Sequence, residues 1–261
     1  MARVDWLGLP EAARAAVGAR AGAVRAVEDI PHGITCRFAA VLESADGRLF
    51  VKGVPVDDAW GRSGQAREAE VNSAVTAVSP RLLWRVEAGG WELLAFEAVE
   101  ARHADLSPGS ADLPLVAAIL EEAQGLKAPA GVELPQYVDR ELGGAVSAAE
   151  RELLLGDALL HTDTNPHNLL VGADRAYLVD WALPAVGPSW IDAAEAAMRL
   201  MDAGCSASEA LAWAAQFASW AGADPAAVEV FVRGTCRARV ARLGERDAQV
   251  SNAQCEALLK V

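Results

Sequence analysis

The sequence predicts an α+β fold built from two unlike parts, and three observations carry that expectation. Residues 23–96 read as three strands, a helix and two more strands, the order of a small antiparallel sheet with one helix against it. Beyond Pro114 the apolar spacing is mostly helical. Within that helical part lies a short strand ribbon, opened by a polar loop and ending on an aspartate. A chain of 261 residues, 52% hydrophobic and 23% charged, can fill one large core or two lobes sharing a cleft. The change of character places the division at 1–97 and 98–261.

Pro10 to Arg20 begins with proline and continues as an Ala/Arg run to Gly22, which predicts a short helix. Ala23–Ile30, Arg37–Glu43 and Arg48–Val54 read as strands, with Asp46-Gly47 as a two-residue hairpin signal between the last two. Val56–Gly64 is polar and contains glycine, so a loop is expected, followed by a helix over Gln65–Val78 that Pro80 stops. Arg81–Ala88 and Trp91–Phe96 form a strand pair around Gly89-Gly90. Ala101–Pro114 reads as loop. Helices are expected over Leu115–Gln124, Leu134–Leu142 and Ser147–Leu155, the last opened by Ser147 and Glu150 as a capping box. Leu169–Val171 and Ala176–Val179 form the ribbon. Helices follow over Trp190–Asp202, Ala207–Trp220 and Pro225–Leu243, with one more in the tail.

Bulk properties narrow the function. The net charge of −13 argues against a nucleic-acid partner and favours cationic ligands through the long-range field. Cys36, Cys205, Cys236 and Cys255 form no C-x-x-C pair, which disfavours a zinc ribbon or redox motif and suggests a reducing compartment. Neither a signal peptide nor a membrane span is expected, so the reading is cytoplasmic.

The chemistry concentrates in His161-Thr162-Asp163-Thr164-Asn165-Pro166-His167-Asn168, which opens the ribbon, and in Asp180, which ends it. The two ends of a hairpin are close in space, so Asn168 and Asp180 can converge, with Asp163 in the loop feeding the same end. Magnesium takes oxygen ligands, commonly one or two carboxylates plus phosphates, and Asn168 and Asp180 supply such oxygens. Asp163 is then left to orient an attacking hydroxyl and accept its proton, which suits phosphoryl transfer.

His161-x-Asp163-x4-Asn168 followed by Asp180 resembles the catalytic loop and metal-binding aspartate of the protein-kinase-like superfamily. Pro166 and the Asp180-Trp181 pair make it more similar to the aminoglycoside phosphotransferase and choline kinase branch, whose loop usually has glycine where Thr162 stands. Gly187-Pro188-Ser189-Trp190-Ile191-Asp192 resembles that branch's downstream run, which implies a loop-holding Asp192. The resemblance runs from about residue 23 to 200 and implies a two-lobed kinase-like fold. Its small antiparallel-sheet lobe binds nucleotide, and its helical lobe carries the catalytic loop and acceptor site. It further implies Lys52 on the nucleotide phosphates, braced by Glu68, with Glu70 as the competing partner. The Pro31–Thr35 turn, Thr35 included, would cover the phosphates, and backbone groups of Glu97 and Val99 would meet the adenine edge. The implied reaction moves the γ-phosphate of ATP or GTP, with Mg2+, to a hydroxyl of a small molecule. The acidic chain suits a cationic acceptor such as an aminoglycoside, and antibiotic resistance is a guess on that basis.

Each residue alone has a plainer reading: a capping aspartate, a solvated strand lysine, a turn asparagine. His161 is expected to hold the loop, His167 to be solvated, and the tryptophans to be core. Two rivals remain at this point. A metallohydrolase could use His161, Asp163 and His167, with Asp180 joining, although four histidines supply little material for it. A nucleotide-binding protein with little or no transfer activity is the other. A protein acceptor is disfavoured because no Ala-Pro-Glu segment follows Asp180.

Overall fold

The computed structural model describes residues 3–30 and 35–259. It divides into two compact units, Met1–Glu100 with Asp180–Leu183, and Ala101–Val179 with Pro184–Val261. The four-residue segment Asp180–Leu183 lies in the stretch that the sequence reading gave to the second part.

The first unit runs α1 (Glu11–Ala21), β1 (Val24–Asp29), β2 (Phe38–Ser44), β3 (Gly47–Pro55), α2 (Ala59–Val75), β4 (Leu82–Ala88) and β5 (Trp91–Glu97). The strands pair antiparallel in the order β1-β2-β3-β5-β4. The β4–β5 turn places both Gly89 and Gly90 at positive φ, 59° and 77°, the geometry a tight hairpin needs. Side chains alternate across a strand. Val51 therefore joins Phe38, Leu93 and the α1 residues Ala13 and Val17 in one buried cluster. Lys52, the next residue, faces the opposite side, where α2 lies and Glu68 meets it.

Two expectations change here. A helix covers each face of the sheet rather than one face only, and the loop expected over 56–64 is largely the start of α2. Asp58 caps that helix, its Oδ1 accepting from the Gly61 amide at 2.9 Å. The glycines that signalled a loop serve close packing instead. A Cβ on Gly61 would stand 2.7 Å from Val54 Cγ1, nearer than atoms can approach, so glycine lets α2 lie close on β3.

The second unit is mostly helical. It contains β6 (Arg102–His103), α3 (Leu113–Gln124), α4 (Tyr137–Glu141), α5 (Ala148–Glu152), β7 (Ala158–Leu160), β8 (Leu169–Val171), β9 (Ala176–Leu178) and β10 (Ala185–Gly187). Then come α6 (Ile191–Asp202), α7 (Ala207–Ala214), α8 (Ala218–Ala221), α9 (Pro225–Leu243) and α10 (Glu245–Ala257). The capping box of Ser147 and Glu150 forms reciprocally. The helix expected over Leu134–Leu142 shrinks to α4, because the Val186 amide takes the Pro135 carbonyl at 2.9 Å and Gln136 bridges Val186 as in a parallel sheet. The helix expected over Ala207–Trp220 breaks at Phe217, whose extended backbone and full burial against Trp213 interrupt it. The pair β7–β10 was invisible to pattern reading, since three residues are too few to show a period. This pair and the β8–β9 ribbon hold the two ends of the polar loop.

Among the described residues, no helix is long and apolar enough to cross a membrane.

Candidate active site

In the first unit, three charged side chains meet behind the sheet. Lys52 is 4% exposed, and its Nζ lies 2.5 Å from Glu68 Oε2 and 2.7 Å from Asp180 Oδ1. Burial works against the ammonium charge, but the carboxylates of Asp180 and Glu68 outweigh it and raise the Lys52 pKa above the ordinary lysine value. Lys52 therefore stays protonated. Burial pushes the Glu68 carboxyl up, and Lys52 pulls it back down. Glu70, two residues beyond Glu68 on α2, is exposed. The other oxygen of Asp180, Oδ2, accepts from the Thr35 hydroxyl at 2.8 Å. Asp180 holds a positive φ of 66°, a backbone state that side chains rarely adopt.

Of the turn expected to cover the phosphates, Pro31–Ile34 lie outside the described residues. Glu97 ends β5. Its amide donates to the Arg81 carbonyl at 3.0 Å, and its carboxylate pairs with the Arg81 guanidinium at 2.7 Å. Val99 follows in irregular backbone, half-buried, and among the described residues its amide has no backbone partner.

In the second unit the polar loop is held from inside. His161 is 1% exposed. Its Nδ1 accepts from the Asp163 amide at 3.3 Å and its Nε2 faces the Val179 carbonyl at 2.8 Å. The acceptor at Nδ1 assigns the proton to Nε2, and both ring nitrogens are thereby engaged. Asp192, buried at the start of α6, accepts from the His161 amide at 2.8 Å and the Thr162 amide at 2.9 Å. Thr162 sits at φ 68°, where the resembling loops have glycine. Its hydroxyl accepts from Arg140 at 2.6 Å, and Arg140 also donates to the Pro184 carbonyl at 2.9 Å. These bonds hold a β-branched residue in a backbone state that costs about 1–3 kcal/mol.

The Asp163 side chain emerges from this support 45% exposed. Its Oδ2 accepts from Asn168 Nδ2 at 3.0 Å, and its Oδ1 lies 3.8 Å from Arg199. Asn168 Nδ2 also donates to the Asp163 carbonyl at 3.1 Å, which turns its amide oxygen the other way. The Asn168 carbonyl accepts from the Val179 amide at 2.9 Å across the ribbon. His167 is exposed, edge-on to His103 at 5.0 Å. Among the described residues, no group of three or more His, Cys, Asp or Glu is arranged to hold a metal, and His161 is occupied on both nitrogens.

A cavity of about 450 Å³ opens within the second unit, its wall including Thr162 of this loop and Arg199 of α6. Glu195 on its wall accepts from the Tyr137 hydroxyl at 2.9 Å. Burial, helped by the nearby Asp192 charge, pushes the Glu195 carboxyl up to about 8. On the far wall stand Thr235, Arg239 and Arg242 of α9.

Solved structures share this architecture. Choline kinase LicA from Streptococcus pneumoniae superposes with a TM-score of 0.60 at 13% identity, covering 95% of this chain and 98% of that one. A choline/ethanolamine kinase family protein from Mesorhizobium loti gives 0.62 at 16% identity, covering 95% and 94%. Aminoglycoside phosphotransferase APH(4)-Ia, solved as a ternary complex with ADP and hygromycin B, gives 0.58 at 11% identity, covering 94% and 97%.

The fold is the protein-kinase-like one.

At these identities the likeness establishes the fold alone. No protein-family model matches the chain, and no curated protein matches it in sequence.

Some residues of the loop's support and of the cavity wall were not singled out by the sequence reading. Arg140, Arg199, Tyr137, Glu195, Thr235 and Arg239 belong to no short motif. A signal existed in helical spacing: Asp192, Glu195 and Arg199 lie three and four residues apart on α6, and Thr235, Arg239 and Arg242 repeat that spacing on α9. Polar residues repeating at helical spacing share one face, and such a face can border something other than core.

Proposed function

We propose that this chain is a small-molecule kinase, moving the γ-phosphate of ATP or GTP to a hydroxyl group. The observation that carries this reading is the buried Lys52 ammonium held between Glu68 and Asp180. A fully buried lysine with two carboxylates is costly unless it serves a charge that arrives later, and nucleotide phosphates are such a charge. Lys52, braced by Glu68, binds the α- and β-phosphates. Thr35 stands beside it on Asp180. Backbone groups of Glu97 and Val99 receive the adenine edge.

The donor set fits magnesium. Asp180 offers carboxylate oxygens, and Asn168 has its amide nitrogen turned to Asp163, which leaves its oxygen for a hard cation. When bound with the nucleotide, the ion neutralises charge on the phosphates. Asp163 then orients the acceptor hydroxyl and takes its proton. The acceptor oxygen bonds to the γ-phosphorus, the bond from that phosphorus to the β–γ bridging oxygen breaks, and the nucleoside diphosphate leaves. Asp163 is exposed enough to reach a ligand and is fixed by Asn168 and by its own amide on His161.

The test is diphosphate release in the presence of magnesium and a panel of hydroxyl compounds. Asp163→Asn should cut acceptor-dependent release by about 10²–10⁴-fold while nucleotide binding survives. Equal release by the variant would remove Asp163 from the mechanism. Tight nucleotide binding with no transfer to any compound would instead favour a binding protein of kinase-like fold.

A further inference from the structure

Whole-chain charge suggested a cationic acceptor, but the cavity beside Asp163 has a different local balance. Of the carboxylates on its wall, Glu141 is paired to Arg140 at 2.8 Å and Asp202 to Arg199 at 3.4 Å. The third, Glu195, takes the Tyr137 hydroxyl, and with its carboxyl pushed up to about 8 it is mainly protonated at neutral pH. None of the three is a free anion waiting for an ammonium group.

Arg239 is the reverse case. It is half-buried on α9, facing the cavity, and among the described residues no carboxylate lies within ion-pairing distance of it. Its guanidinium donates to the Ser251 carbonyl at 2.8 Å and to the Met198 thioether at 3.6 Å. A thioether is a weak acceptor, and a guanidinium carries five N–H donors, so capacity is left over. One helical turn earlier, Thr235 lines the same cavity. It is 6% exposed, and among the described residues its hydroxyl has no hydrogen-bond partner. A buried hydroxyl without a partner is unfavourable in a finished structure, and it points to a ligand that completes it. Guanidinium and hydroxyl at this spacing lie on one helix face, so both can address one group.

We propose that the acceptor is a hydroxyl compound bearing an anionic group, a carboxylate or a phosphate monoester, which Arg239 and Thr235 receive while the hydroxyl is presented to Asp163. The proposal rests on the kinase reading for the transfer step, though not for the binding step. Arg199 is already engaged with Asp163 and Asp202, so it orients the acid rather than competing for the anion. In the transfer, the acceptor hydroxyl gives its proton to Asp163 and gains the γ-phosphoryl group, and its anionic group is unchanged.

The experiment separates binding from transfer. Thermal-shift titrations would use glucuronate, glucose 6-phosphate, glucose and glucosamine, matched sugars that differ in charge, with inorganic phosphate and malonate as minimal anions. They would be run on the wild-type protein, Arg239→Gln, Arg239→Lys and Thr235→Val. The expected result is stabilisation by anionic members in preference to glucose and glucosamine. Arg239→Gln should weaken it about tenfold or more, Arg239→Lys should recover part of it, and Thr235→Val should weaken it by less than Arg239→Gln does. The carboxylate and phosphate arms decide which anion is preferred. Preference for glucosamine overturns the proposal, as does anion binding that Arg239→Gln leaves unchanged. No response to either minimal anion at tens of millimolar overturns it too. Anion binding that depends on Arg239, together with an absence of nucleotide-dependent transfer, would sink the kinase reading and leave the anion site standing.

Discussion

The two charged groupings of this molecule solve opposite problems. Lys52, Glu68 and Asp180 are linked by short ionic contacts, with Lys52 and Glu68 almost wholly removed from water. Asp163 is nearly half exposed, and the bonds that fix it come from the Asn168 amide group and from backbone amides, with the buried Asp192 beneath. The first grouping is part of the interior of its unit, and the second is a half-exposed carboxylate on a strained loop. Stability and reactivity should therefore respond to different residues, and substitutions can show whether they do.

The largest stability loss is expected from Lys52→Met, which leaves Glu68 buried without its cation. Breaking a buried pair in this way costs about 3–5 kcal/mol, read as a lower midpoint in urea. Asp163→Asn should lower the stability by less than about 1 kcal/mol while abolishing most transfer, since the side chain is half in water. Comparable losses from the two variants would contradict the division drawn here. Asp192→Asn should fall between them. It keeps the size but weakens two charge-assisted bonds to the loop amides, a loss of about 2 kcal/mol with a parallel fall in turnover.

A pH effect comes next. The Glu195 carboxyl is pushed up to about 8 by burial and by Asp192, whereas in the unfolded chain it titrates in the ordinary carboxylate range. The folded state therefore holds the proton more tightly. The stability this contributes is complete below the ordinary range and drains away as pH rises through about 8. Melting curves at pH 6 and pH 9 should show a fall in midpoint that Glu195→Gln reduces. An equal fall in both proteins would remove Glu195 as its source.

The smallest effect should come from Thr162→Gly. Relief of a positive-φ strain of about 1–3 kcal/mol is offset by the entropy of glycine and by the lost bond to Arg140. Little net change in stability is expected, within about 1 kcal/mol. The substitution also empties space on the cavity wall. KM for the acceptor should move more than stability does, and an unchanged KM would show that Thr162 does not touch the acceptor.

Much of the first unit was legible because its signals are local. Asp46-Gly47 and Gly89-Gly90 mark hairpins, and strand alternation sends Lys52 to the face opposite Val51. Gly61 and Gly64 misled, because glycine marks a turn and a tight helix contact with the same letter. In the second unit the loop from His161 to Asn168 was legible as a motif, and its support was not. Arg140 reaches Thr162 across 22 residues and Asp192 reaches His161 across 31, distances that no window spans. The cavity wall on α9 was hidden for another reason. Thr235 and Arg239 sit on a helix whose apolar residues read as core, and their helical spacing hints at a polar face without saying that it meets a void.

The composition of the first unit has a consequence for how the chain is made. Its residues up to Glu100 are completed early in synthesis, but Asp180–Leu183, which supply the partner of Lys52 and Thr35 and the amide that meets Glu68, leave the ribosome much later. Until then a nascent sheet carries a lysine with only one of its two carboxylates. Separate expression of the first hundred residues would reproduce that unfinished state, and supplying a peptide that carries Asp180–Leu183 is the natural way to complete it.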